Sequence, residues 1–308
     1  MRVTTYNAYQ NTIFNLQQRQ QDLEKTQEQL TTGKRVAKPS DDPVAAARAE
    51  RALAAMTRSD AHQRALEAAR TATQQAESAL GDAGELIQRA RETLLAAGNP
   101  SYSEGERKAL VQTLKGVREQ LLGVANRSDG AGSFFFGGQG TDSPPFVDSG
   151  SGVIYQGTPG RTLVASGEAL GTTLDGEHTW LQAPSGTPGV TVSVFDVLDD
   201  AIAGLGAPGV SDAAVAAAVK TGVNDLDTFH AHLLAERARS GEALNRMNQV
   251  ELRIADGKIA AQTERSSAED LDLVQAISDF QNQQTGYDAA LKAYSMVQRL
   301  SLFNYISG

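Results

Sequence analysis

The chain of 308 residues contains no cysteine, which rules out a disulfide framework, a thiolate metal site and a cysteine nucleophile. Aromatic residues make up only 6% and Trp occurs once, too few for a large globular core of the usual kind. There is no excess of positive charge: the formal net charge is −9, so binding a phosphate backbone is not the main task. No run approaches the ~18 apolar residues that a membrane span needs. The opening residues lack an apolar stretch of the kind that marks a Sec signal peptide, so export is expected to use another route and no cleaved leader.

What the chain does have is helix at both ends. Residues 5–32 carry Tyr6, Tyr9, Ile13, Leu16, Leu23 and Leu30, a thin stripe whose missing members are Gln20 and Gln27. The last segment, 266–306, carries Leu273, Ile277, Phe280, Tyr287, Leu291 and Tyr294, with a gap at Gln284 and a denser tail of Leu300, Leu302, Phe303, Tyr305 and Ile306. Stripes this sparse do not bury enough surface to fold alone, so the two ends are expected to pair and to assemble with further copies.

Gly33 ends the first helix. Pro39 blocks helix before it, and either Asp41 or Asp42 can cap the next helix with Pro43 at its first position. That helix is expected from Pro43 to Ala97, ~80 Å long. Its seam alternates large and small: Leu66, Thr73, Leu80, Ile87 and Leu94, each followed three places on by Ala69, Ala76, Ala83, Ala90 and Ala97. A seam of this kind lets neighbouring helices approach closely. Ser103 and Glu106 form a capping box for a third helix with Leu110, Leu114, Val117, Leu121 and Val124.

From about 131 to 209 Gly, Pro, Ser and Thr dominate, and short β-type runs at 152–156, 162–165 and 190–194 read as a small β-rich insert. Helix returns after Ser211 with Val215, Val219, Leu226, Phe229, Leu233, Leu244, Met247 and Ile254, ending near Arg265, where Ser266 and Glu269 read as a second capping box. The fold class is therefore mainly α: a long-helix, coiled-coil-like bundle with pairing terminal helices and a small inserted β-rich domain. Three domains are expected: 1–40 with 266–308, 41–130 with 210–265, and 131–209.

Catalytic chemistry is hard to find. His230 and His232 sit two apart on a helix and face different ways, which makes solvated polar residues the better reading than a shared metal. Asp196, Asp199 and Asp200 read as a solvated face or a turn cap. The run Gly137-Gly138-Gln139-Gly140 lacks the strand and helix of a dinucleotide fingerprint and reads as a bend after buried aromatics. No nucleophile–base pair stands out, and the expectation is no enzyme, no cofactor and no metal.

Several motifs resemble the flagellin family. Leu30-Thr31-Thr32-Gly33-Lys34-Arg35-Val36 followed by Pro39-Ser40-Asp41-Asp42-Pro43 resembles the turn after its first helix. Glu264-Arg265-Ser266-Ser267-Ala268-Glu269-Asp270-Leu271-Asp272, Ala276-Ile277-Ser278-Asp279-Phe280-Gln281, Tyr287-Asp288-Ala289-Ala290-Leu291 and Ser301-Leu302-Phe303-Asn304-Tyr305 resemble its C-terminal counterpart. The opening Met1-Arg2-Val3-Thr4-Thr5, the prolines 39 and 43, and the run from Phe134-Phe135-Phe136-Gly137-Gly138 to Phe146 are similar to the hook–filament junction branch of that family. The resemblance implies a structural protein of the extracellular bacterial flagellum, exported unfolded by the flagellar type III apparatus. It implies as partners further copies of the chain in a ring, the hook-side junction protein, flagellin, and an export chaperone on the C-terminal helix, with no nucleic acid and no membrane insertion.

On this reading Tyr9, Ile13, Leu16, Leu23, Leu30, Leu273, Ile277, Phe280, Tyr287, Leu291, Tyr294, Leu302 and Phe303 form the assembly interface. Gly33, Arg35, Pro39, Asp41, Asp42 and Pro43 form a turn linking the inner and outer shells. A short filament flagellin is the alternative within the class. The alternative from another class is a surface- or glycan-binding module on the insert, lined by Tyr155 and Trp180, although a lone Trp in a small β domain is more often core.

Overall fold

The computed structural model describes the chain except residues 1, 131, 142, 161–162, 166–168, 172–173, 186–189 and 307–308; for 2–9, 163–165, 169–171 and 297–306 it describes backbone alone. Met1, Asp142, Thr162 and the ending Ser307-Gly308 thus lie outside the described residues, as do the side chains of Tyr6, Tyr9, Leu300, Leu302, Phe303, Tyr305 and Ile306.

Three long helices follow the expected bounds: α1 (Arg2–Thr32), α2 (Pro43–Ala97) and α3 (Glu104–Ala125). The insert holds β1 (Phe146–Asp148), β2 (Val153–Tyr155), β3 (Leu163–Ala165), β4 (Ala169–Gly171), α4 (Gly176–Trp180), β5 (Ala183–Pro184), β6 (Thr191–Val192) and α5 (Val194–Gly206). Then come α6 (Asp212–Glu269) and α7 (Leu273–Ile306). The strands pair as three antiparallel ribbons, β1–β2, β3–β4 and β5–β6.

Two expectations change. The insert carries helix as well as strand. Val194, Val197, Leu198, Ala201 and Leu205 are all buried at helical spacing, and the Ser193 hydroxyl accepts the Asp196 N–H at the helix start. Burial of that face on α3 outweighs the strand-like alternation of residues 190–194. The fourth long helix runs through Ser266, which is no N-cap. The Ser267 hydroxyl donates back to the Thr263 carbonyl at 2.8 Å, and Ser266 donates to Asp270. The break falls four residues later, where Asp272 Oδ1 accepts the Val274 and Gln275 N–H groups and caps α7.

The chain forms two compact units, with limits inside α2 and α6: residues 60–254 make one, and 1–59 with 255–308 the other. In the 60–254 unit the insert and the inner helices share one apolar core. Every member of the α2 seam is buried, from Leu66 and Ala69 to Leu94 and Ala97. From Ala76 onward it meets Leu114, Val117 and Leu121 of α3, Leu198 of α5, and Leu226, Phe229 and Leu233 of α6 in one cluster, while Leu66 and Ala69 pack in a smaller one with Met247 and Val250 of α6. The capping box at Ser103 and Glu106 is formed from both sides.

Aromatic rings fill the insert end of this core. Trp180 packs edge-on against Phe136 with centroids 5.3 Å apart and stacks near Phe195 at 6.3 Å. Gly138 takes φ 65, and a Cβ there would meet the Thr158 carbonyl oxygen at 1.9 Å, so the bend after the aromatics requires glycine. Arg118 of α3 grips Asp148 at 2.6 Å and Asp199 of α5 at 2.7 Å, tying ribbon and helix to the bundle. Cross-helix pairs Arg70–Glu251, Arg237–Glu77 and Arg91–Asp227 line the flank of α2 and α6, each at 2.6 Å.

Candidate assembly interface

In the unit of residues 1–59 and 255–308, α1 packs along α7. Among the described residues the contact seals little. Ile13, Leu16, Leu23 and Leu30 stay half-buried, as do Phe280, Tyr287 and Tyr294. Leu273, Ile277 and Leu291 are 52%, 48% and 41% exposed, and off the expected stripe Phe14, Val274 and Met296 are more exposed still. The side chains of Tyr9, Leu302 and Phe303 are outside the described residues.

The best-buried side chains of this pairing are small. Ala276 is one. The other is Thr26, whose hydroxyl has its one hydrogen between two acceptors, the Asp22 carbonyl at 2.9 Å and Gln283 Oε1 at 2.8 Å. The expected gaps at Gln20, Gln27 and Gln284 are simply exposed positions. The seam steps from Leu23 to Thr26 to Leu30 instead, because the hydroxyl finds its acceptors inside the contact.

The turn is a clasp with four sides. Gly33 adopts φ 69 after its N–H bonds back to the Gln29 carbonyl, and open space surrounds the place of its missing Cβ, so dihedral freedom alone demands glycine. Lys34 bridges to Asp270 as an antiparallel pair. The Arg35 and Val36 N–H groups donate to the Glu269 carbonyl at 2.7 and 3.3 Å, and the Leu271 N–H donates to the Gly33 carbonyl at 3.1 Å. Arg35 Nη2 adds a bond to the Ala268 carbonyl at 2.9 Å, and Nη1 reaches Asp42 at 3.2 Å. Val36, Ala45, Ala49 and Ala268 close a small apolar cluster beneath. The 268–272 segment is a partner that sequence reasoning missed; the short non-helical gap before α7 was its one local signal.

The two aspartates divide the work that either was expected to do. Asp42 caps α2: its Oδ1 accepts the Val44 and Ala45 N–H groups at 3.1 and 3.0 Å, with Pro43 at the first helical position. Asp41 closes the loop, accepting the Ala37 and Lys38 N–H groups at 3.2 and 2.9 Å. Pro39 sits second in the turn that the Asp41 N–H closes on the Lys38 carbonyl at 3.0 Å. Both carboxyls are held below the usual aspartate range. For Asp42 the cause is the Ala45 N–H and then Arg35; for Asp41 it is the Lys38 N–H and then that of Ala37. Lys34, 2.8 Å from Glu269, lowers that carboxyl in the same way.

The histidines fall differently from expectation. His230 and His232 do face apart: His230 lies 3.4 Å from Gln88. His232 is not solvated, however. It is buried beside His178 and Glu236, and burial lowers its pKa. Tyr155 and Trp180 offer no open lining for a sugar. Trp180 is fully buried, with its Nε1 lacking a partner among the described residues, and the Tyr155 hydroxyl donates to the Phe136 carbonyl at 3.2 Å.

Residues 3–141 match the bacterial flagellin N-terminal helical region. The chain is 31% identical to flagellar hook-associated protein 3 of Escherichia coli K12 across 98% of this chain and 99% of that one. It is 30% identical to the protein of the same description from Salmonella typhimurium, again over 98% and 99%. Among solved structures, a putative flagellar hook-associated protein from Vibrio parahaemolyticus superposes with TM-score 0.65 at 20% identity, over 75% of this chain and 100% of that one. Hook-associated protein 3 of Legionella pneumophila gives 0.64 at 19%, over 70% and 97%, a likeness of fold.

Proposed function

The chain belongs to the family of flagellar hook-associated protein 3, and we propose on that premise how its geometry serves a structural role at the hook–filament junction of the bacterial flagellum. The carrying observation is the pair of terminal helices, aligned with each other yet with their apolar stripes half exposed. A helix pair that leaves this surface open is a subunit awaiting neighbours, and the surface is what copies of the chain and flagellin would cover.

In this reading 1–40 with 266–308 is the assembly part, 41–130 with 210–265 the bundle that carries it, and 131–209 the insert. The interface residues on α1 and α7, Tyr9, Leu302 and Phe303 included, meet adjacent subunits, with the hook-side junction protein on one side and flagellin on the other. The clasp from Gly33 to Pro43 fixes the direction of both terminal helices. Before assembly the exposed face of α7 around Val274 and Ile277 suits an export chaperone, and passage in unfolded form through the flagellar type III apparatus suits a chain without cysteine. The role calls for no catalysis.

Electron microscopy of a deletion strain tests it. Hooks without filaments, with flagellin released into the medium, are expected. Absence of flagellin from both cells and medium would make the chain the filament subunit instead.

A further inference from the structure

His178, His232 and Glu236 belong to neither the assembly stripe nor the clasp. His232 and Glu236 lie one turn apart on α6 and both turn inward, Glu236 to 1% exposure. His178 comes from α4, where Asp175 accepts its N–H at 3.2 Å and fixes the helix start. The two imidazoles meet edge to face with centroids 5.2 Å apart. His178 Nε2 is 3.5 Å from Glu236 Oε1, and one donor atom from each of the three residues lies within 4.8 Å of the others.

From these distances we infer that the three side chains form a binding site for a divalent first-row transition-metal ion, with zinc as its simplest occupant. Bonds of ~2.0–2.2 Å at tetrahedral angles set ligand atoms ~3.4 Å apart. The His178–Glu236 separation already matches, and small side-chain rotations bring in the third donor. Two imidazoles with one carboxylate favour zinc, nickel or cobalt over calcium or magnesium. His232 Nε2 lies 3.0 Å from the His178 carbonyl oxygen, the kind of contact that orients a liganding imidazole while its other nitrogen faces a metal.

A buried carboxylate also needs a cation. Without metal, Arg239 supplies it: its Nη1 pairs with Glu236 and comes within 3.4 Å of His178 Nε2. Arg239 is half exposed, so an entering ion can displace it toward water and take over its role. The bound ion would staple α4 to α6.

Titration calorimetry of the full chain with zinc chloride reads the site. One ion per chain is expected, with melting of the chain raised by roughly 5–10 °C at a hundredfold excess over Kd. His178→Ala leaves α6 intact and should abolish the site. Arg239→Gln removes the competing cation and should tighten binding about tenfold, the opposite of what a purely structural ion pair predicts. Cobalt(II) in place of zinc should give the visible absorption of a tetrahedral site, lost in His178→Ala. No saturable binding below about 1 mM zinc, binding undiminished in His178→Ala, or weaker binding in Arg239→Gln would each overturn the assignment.

Discussion

The two compact units use the same material, long Ala- and Gln-rich helices, to opposite ends. In residues 60–254 a large/Ala seam closes completely, with Leu80, Ile87 and Leu94 at zero exposure. Between α1 and α7 the large residues stop halfway, and among the described residues only Thr26 and Ala276 are sealed. Regular periodicity therefore does not tell a finished core from a surface held in reserve; burial does. Both seams step mostly by three and four residues, and only the one that is sealed offsets its ordering entropy within the chain, the other leaving that to a neighbour.

That contrast can be attacked at several sizes. The largest effect is in hydrogen exchange of the dilute monomer. Amides of residues 80–94 should exchange only through global opening, at least ~10³-fold more slowly than those of 10–32 and 273–296. Equal protection in a verified monomer would remove the distinction. Next come truncations. Leu80→Ala should cost ~2–5 kcal/mol, whereas Leu23→Ala should cost below about 1.5 kcal/mol in denaturant unfolding while impairing filament retention. Comparable losses of stability would mean the terminal seam is a core after all.

Additions come third. Ala83→Leu should overpack the closed seam by ~1–3 kcal/mol, while Gln27→Leu, at an exposed position, should stay within about 0.5 kcal/mol. The fourth test concerns the clasp. Asp41→Ala with Asp42→Ala should give a folded, exported protein that fails to hold filaments on hooks, and normal swimming would reduce the turn to a tether. Because both carboxyls are depressed below 3.8 in the folded state, their contribution is complete above that pH and fades as pH falls through the folded values. The wild type should therefore approach the double variant only in acid.

The smallest effect is confined to the insert. Burial, with Asp175 and Glu177 adding, pushes the Tyr155 hydroxyl up from 10.0 to about 12. Stability from its protonated form is whole below pH 10 and drains as pH rises through about 12. Tyrosinate absorbance should show one late-titrating group, missing in Tyr155→Phe.

Much of this was legible from the chain. The seven-residue spacing of Leu66, Leu80, Ile87 and Leu94 announced α2 and its buried face, and Gly33 and Pro43 announced the turn. Three things were not. Thr26 was hidden because hydropathy reads a threonine as a gap in a leucine pattern, yet its hydroxyl finds acceptors inside the contact. Helix α5 was half hidden: residues 196–200 read as helix-like, but Val190 to Val194 alternates, and the Ser193 cap and packing on α3 set its start at Val194. The partners of the clasp were hidden because hydrogen bonds between residues 33–36 and 268–271 leave no periodic trace.

Those same bonds bear on how the ends come together at all. The Arg35 to Ala268 contact spans 233 residues of sequence. Once it closes, α1 and α7 start from one point, and their meeting is no longer a search between distant chain ends but a local event at high effective concentration. The two stripes, each too sparse to nucleate a pair, then need only propagate from a nucleus already in place. The chain can thus set the partnership of its ends early, while their faces are still open.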